Sequence, residues 1–129
     1  MEKVLILSGS KSDEEIAKQA MDVLSAFGVQ CRHEVASAHR NPDKVDRLVR
    51  ESTAQVFIAI AGLSAALPGV VASKTVKPVI GVPVGAALGG LDALLATAQM
   101  PPNVPVASVG IGMGKNAGIL AVELSLIHI

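Results

Sequence analysis

Val4-Leu5-Ile6-Leu7-Ser8-Gly9-Ser10-Lys11-Ser12-Asp13 decides the fold class, because a wholly apolar run stops at a turn of glycine, serines and an acid. A strand with one wet face alternates polar and apolar residues. Val4–Leu7 does not alternate, so it reads as a strand covered on both faces in a parallel sheet. A helix is expected to follow: Ser12 and Glu15 have capping-box spacing, Ile16, Ala20, Leu24 and Phe27 recur on one face, and Gly28 is a natural stop. Such a strand-turn-helix leaves backbone N–H groups and small hydroxyls at the mouth of the turn, where a phosphate can sit.

The same unit then repeats. Val29–Val35 predicts a second strand, and Asn41 is placed to cap a helix with Pro42 in its first turn and Val45, Leu48 and Val49 as its apolar stripe, ending near Ser52. Gln55–Ala61 predicts a third strand, Ser64–Ser73 a helix of small residues and Pro78–Val82 a fourth strand. Leu91–Ala98 predicts a helix, with Asp92 as a cap, followed by a fifth strand over Val104–Val109 and a last helix from Lys115 to near Ser125. Strand and helix alternating along one chain predict an α/β fold: a three-layer α/β/α arrangement around a parallel sheet of about five strands. Its ligand should bind beyond the carboxyl ends of the strands.

The chain has 129 residues, enough for one domain with a core and too few for two. Half of the residues are apolar and 17% are charged, a composition that predicts apolar surface buried between copies, hence a homo-oligomer. Eleven basic residues balance eleven acidic ones, and the aromatics are two phenylalanines, which argues against a phosphate-tracking or base-stacking nucleic-acid surface. Cys31 is the sole cysteine, so no intrachain disulfide can form, and a reduced cytoplasmic setting is expected. The apolar stretches 56–72 and 78–98 are broken by Gly62, Pro68, Gly81, Pro83, Gly85, Gly89 and Gly90, so they read as buried elements rather than membrane spans.

Two loops carry most of the chemistry. Gly9–Asp13 lacks the spacing of a Walker loop or a dinucleotide fingerprint, which favours a mononucleotide or sugar phosphate over a dinucleotide. Ser10 and the backbone amides suit the phosphate, and Asp13 suits ribose hydroxyls. Ser37-Ala38-His39-Arg40-Asn41-Pro42 falls at the same edge of a parallel sheet. There Arg40 offers a fork for phosphate oxygens, and His39 is a side chain suited to proton transfer near neutrality, although a lone histidine in a turn is more often structural. The third loop, Ala61 to Gly69, has almost no functional side chains. Small residues there let backbone amides approach a flat ligand in a dry pocket, or simply pack helices tightly. The three histidines and one cysteine have no short metal-ligand spacing, and G-x-S-x-G is absent.

Taken in order, Gly9-Ser10-Lys11-Ser12-Asp13, Ser37-Ala38-His39-Arg40-Asn41-Pro42, Ala61-Gly62 through Leu67-Pro68-Gly69, Pro78-Val79-Ile80-Gly81-Val82-Pro83, Gln99-Met100-Pro101 and Asn116-Ala117 resemble the PurE family of de novo purine biosynthesis. The resemblance covers nearly the whole chain. It implies a single flavodoxin-like domain over residues 1–129, a homo-octamer, a ribonucleotide and carbon dioxide as reactants, and neither metal nor cofactor. On these motifs Ser10, Ser12, Asp13 and Arg40 would hold the ribose phosphate, and Ser37 would support the ligand. Gly62, Ser64, Ala66 and Leu67 would line the substrate from the third loop. His39 would move the proton at the imidazole carbon that gains the carboxylate.

The family has two activities. One carboxylates aminoimidazole ribonucleotide directly with carbon dioxide; the other is a mutase that moves the carboxylate from the exocyclic nitrogen of N5-carboxyaminoimidazole ribonucleotide to the ring carbon. Ala66 stands where the mutase pattern has a histidine, and Ser64, Ile58-Ala59-Ile60-Ala61-Gly62 and Lys115-Asn116 look closer to the direct carboxylase. Arg40, Pro68-Gly69, Gly81-Val82-Pro83 and Gln99-Met100-Pro101 look closer to the mutase. Direct carboxylation is the leading expectation, the mutase its alternative, and a nucleotide-binding module without chemistry a remoter one. Typical members carry a further C-terminal helix, so the apolar ending Leu126-Ile127-His128-Ile129 reads either as a contact with a neighbouring subunit or as a truncation, and His128 is given no role.

Overall fold

The computed structural model describes residues 1–86 and 88–127. Among the described residues five strands, β1 (Val4–Ser8), β2 (Cys31–Val35), β3 (Val56–Ala61), β4 (Val79–Pro83) and β5 (Ala107–Ser108), alternate with five α-helices. These are α1 (Glu14–Ala26), α2 (Pro42–Glu51), α3 (Leu67–Ala72), α4 (Leu91–Ala98) and α5 (Gly114–Ile127). All the strand pairs are parallel, in the order β2-β1-β3-β4-β5. This is the flavodoxin-like order, whose switch point lies between β1 and β3, where chain connections leave for opposite sides of the sheet.

The apolar strands are buried because both of their faces are covered. Val4 and Ile6 lie in register with Val56 and Ile58, and with Ile60, Ile80 and Val82 they pack against Ala17, Ala20 and Leu24 of α1 and Ala117, Ala121 and Val122 of α5. The alternate residues Leu5, Leu7, Phe57 and Val79 face Val45, Leu48 and Val49 of α2, Leu67 and Val71 of α3, and Ala93 of α4. Each fully buried aliphatic side chain contributes about 1.5–3 kcal/mol. On the first face α1 and α5 approach closely because Gly118 has no side chain: a Cβ there would sit 2.9 Å from the Ala20 carbonyl.

Several boundaries differ from expectation for identifiable reasons. Ser12 forms no capping box. Residues Lys11–Asp13 make a single 3₁₀ turn, α1 starts one residue later, and Ser12 Oγ pairs instead with Ser10 Oγ at 2.6 Å. Asn41 sits at the N-cap of α2 without a side-chain cap bond, and Pro42 does occupy the first turn. Gly90, at φ 89°, caps α4 rather than Asp92, whose Oδ1 is buried without a hydrogen-bond partner. The helix expected from Ser64 starts only at Leu67, since Ser64 has a left-handed backbone at φ 48°. β5 shrinks to two residues: Pro105 has no N–H for the ladder, and Asn103 turns the chain at φ 75°. No helix among the described residues is long and apolar enough to cross a membrane. The end of the apolar tail, with His128, lies outside the described residues.

Candidate active site

Four loops at the carboxyl edge of the sheet, one after each of β1 to β4, enclose a cavity of about 640 Å³. That volume lies within the range of small-molecule sites. Its position follows from topology, because the loops after β1 and β3 part at the switch point and leave a crevice between them.

From the loop after β1, Gly9, Ser10, Ser12 and Asp13 line the cavity. Gly9 is fixed by its N–H, which donates to the Ile60 carbonyl at 3.1 Å, and the Ser10 and Ser12 hydroxyls are paired. Asp13 is almost fully buried, and burial pushes its carboxyl above the usual aspartate range, with hydrogen bonds from Ser10 acting in the opposite direction. From the loop after β2 come Ser37, Ala38, His39 and Arg40. The Ser37 Oγ accepts the backbone N–H groups of His39 at 3.3 Å and Arg40 at 3.1 Å, so this serine builds the turn that presents both side chains. The His39 side chain lines the cavity and is exposed to solvent.

The loop after β3 contributes Ala61, Gly62, Leu63, Ser64 and Leu67. Ser64 has a strained left-handed backbone, and its carbonyl accepts the Ala66 N–H at 2.6 Å, forming a tight turn at the rim. The cavity therefore gathers Ser10, Ser12, Asp13, Ser37, His39, Arg40, Gly62, Ser64 and Leu67 from the expected set, and Ala66 is not among the lining residues.

Val84, Gly85 and Ala86, from the loop after β4, were missed as a wall of the site. The signal was available: they directly follow a strand, at the same edge as the other three loops. Gly62 packs against them so closely that a Cβ on it would lie 3.2 Å from the Ala86 Cβ. The small residues of the third and fourth loops thus form one apolar wall facing the polar wall of hydroxyls, Asp13, His39 and Arg40. Such a cavity offers hydrogen-bond donors and acceptors on one side and an apolar surface on the other.

Among the described residues no three histidine, cysteine, aspartate or glutamate side chains cluster as metal ligands. Cys31 lies away from the cavity, and burial pushes its thiol upward, as fits a structural residue.

A family model described as AIR carboxylase matches residues 3–128. A protein of Methanocaldococcus jannaschii named N5-carboxyaminoimidazole ribonucleotide mutase is 60% identical over 121 residues, covering 94% of this chain and 77% of that protein. One from Methanothermobacter thermautotrophicus, named a probable N5-carboxyaminoimidazole ribonucleotide mutase, is 50% identical over 125 residues, covering 95% of this chain but 37% of that protein. The crystal structure of a Treponema denticola PurE2 variant superposes with a TM-score of 0.87 at 27% identity, covering 98% of this chain and 80% of that one.

Proposed function

The chain belongs to the AIR carboxylase (PurE) family of purine biosynthesis, and on that footing we propose that it is an N5-carboxyaminoimidazole ribonucleotide mutase. The observation that carries this reading is the cavity itself, in which His39 and Arg40 meet the hydroxyl turn Ser10–Ser12 across from an apolar wall. The name of the relative at 60% identity favours the mutase over the direct carboxylation that Ser64 and Ala66 had favoured from sequence. Of the residues behind that preference, Ala66 is outside the lining of the cavity, whereas Ala61, Gly62 and Ser64 are part of it.

In this reading Ser10, Ser12 and Arg40 hold the phosphate and Asp13 accepts hydrogen bonds from the ribose. The carbamate C–N bond breaks, carbon dioxide leaves, and the exocyclic nitrogen takes a proton from the His39 imidazolium. The enamine-like ring carbon then attacks the trapped carbon dioxide, forming the C–C bond. His39, now neutral, removes the proton from that carbon and restores aromaticity, ending in the state in which it began. The apolar wall of Gly62, Leu67, Val84 and Ala86 keeps carbon dioxide beside the ring between the two steps, which makes recapture effectively intramolecular. The same family likeness supports a homo-oligomer, with the exposed Leu88, Leu91 and Leu95 as apolar surface for neighbouring copies.

Purified protein given N5-carboxyaminoimidazole ribonucleotide without bicarbonate, or aminoimidazole ribonucleotide with it, tests the proposal. Rapid product formation from the first substrate is expected. Product from the second alone would return the assignment to direct carboxylation.

A further inference from the structure

Ser8 and His33 form a polar pair with no part in the chemistry described so far. Ser8 is the last residue of β1 and has no exposed surface, yet it brings a hydroxyl to the sheet face where Val4 and Ile6 pack. Its Oγ meets Nε2 of His33 at 2.8 Å. His33 lies mid-strand in β2, in register with Ile6, on the edge strand of the sheet. A hydroxyl buried this deeply must be paired, and the imidazole supplies the partner.

The position of the pair gives it a consequence. Ser8 leads directly into Gly9 and the hydroxyl turn, and its own carbonyl accepts the Ala36 N–H at 2.9 Å, where the second loop begins. The root of the first loop is therefore held from the β2 side twice, through the backbone by Ala36 and through the side chain by His33. His33 is absent from the cavity lining, so it acts only through Ser8.

We propose that His33 is a positioning residue: by holding Ser8 it fixes the orientation in which Gly9, Ser10 and Ser12 meet the substrate phosphate. The proposal rests on the assignment of that turn to the phosphate. Its test compares Ser8→Ala, His33→Val, the double variant S8A/H33V and His33→Gln in steady-state kinetics, with calorimetric binding of inorganic phosphate and of the dephosphorylated nucleoside. The first three should raise KM and the phosphate Kd about tenfold, the loss of roughly one oriented hydrogen bond. The kcat and the nucleoside affinity should stay unchanged. His33→Gln, whose amide can still reach the hydroxyl, should recover most of the loss.

The double variant leaves no unpaired polar group, so its thermal melt should return toward wild type while its KM does not. A folded S8A/H33V with wild-type KM and phosphate affinity would overturn the proposal, as would equal losses of nucleoside and phosphate affinity. Ser10→Ala separates the two ideas. Unchanged phosphate affinity in that variant would overturn the assignment of the turn itself, whereas a loss there with none in the His33 variants would overturn only the role of His33.

Discussion

Arg40 donates from Nη2 to the carbonyl of Gly9 at 3.2 Å, tying the loop after β2 to the loop after β1 across the mouth of the cavity. A guanidinium has five N–H donors in a fixed fork, so this bond leaves others for a phosphate while holding the turn against it. Lysine keeps the charge but cannot make both contacts in one geometry. Arg40→Lys is expected to raise KM for the ribonucleotide about 10- to 100-fold, as for lost charge-assisted bonds, with a smaller change in kcat. Steady-state kinetics at constant ionic strength would show this. An unchanged KM would remove Arg40 from the phosphate site.

His39→Asn keeps a polar side chain of similar reach and leaves the Ser37 turn intact, because that turn is built on backbone N–H groups. It removes only the imidazole, the group proposed to carry the proton. The expected outcome is a fall in kcat of about 10²- to 10⁴-fold, with binding of the product nucleotide nearly unchanged by calorimetry. A non-catalytic nucleotide-binding module would show no turnover in either protein and unchanged binding in this variant, whereas a wild-type rate in His39→Asn would remove His39 from proton transfer.

How far the sequence could be read depends on whether a feature is set locally. The unbroken apolar runs Val4–Leu7 and Val56–Ala61 announce two-sided burial wherever they occur, and the parallel sheet follows. Once the loops are known to share one edge, Ser10, Asp13, His39 and Arg40 converge by topology alone. Cap geometry was not legible in this way. Ser12 has the right spacing for a capping box, but pairing with Ser10 and a 3₁₀ turn compete with it, and only the folded loop decides. The wall Val84–Ala86 lacks chemical side chains, so no motif marked it. The Ser8–His33 pair joins residues 25 apart on neighbouring strands, and its partners are fixed by register rather than by any local pattern.

Gly81 is required by packing rather than by backbone conformation. A Cβ there would overlap Thr97 Cγ2 and press on Val106 Cγ1 at 3.1 Å and Pro68 Cβ at 3.2 Å. Thr97 is fully buried and its hydroxyl donates to the Ala93 carbonyl at 2.8 Å, so it cannot swing aside without losing that bond. Gly81→Ala is therefore expected to destabilise the protein by about 1–3 kcal/mol in urea unfolding. Thr97→Ser removes the offending methyl and keeps the hydroxyl, so the double variant should recover part of the loss, the contacts with Val106 and Pro68 accounting for the remainder. Strict additivity of the two changes would show that they do not meet.

Asp13 sets stability against binding. It is 7% exposed, and burial raises its pKa on folding. The folded state thus binds this proton more tightly than the unfolded chain, so the ionised carboxylate costs stability. That cost is absent below the ordinary aspartate value near 3.9, grows as pH rises toward the folded value, and is complete above it. Asp13→Asn removes the charge and should melt at a higher temperature than wild type at pH 7, the advantage shrinking to nothing below about pH 4. The same change replaces an anionic acceptor with a neutral amide, so KM for the ribonucleotide should rise as contacts to the ribose hydroxyls weaken. Paired melts across pH and kinetics at pH 7 measure the two effects separately. A variant no more stable than wild type at neutral pH would show that burial does not strain the carboxylate, and a wild-type KM would show that Asp13 does not hold the ribose.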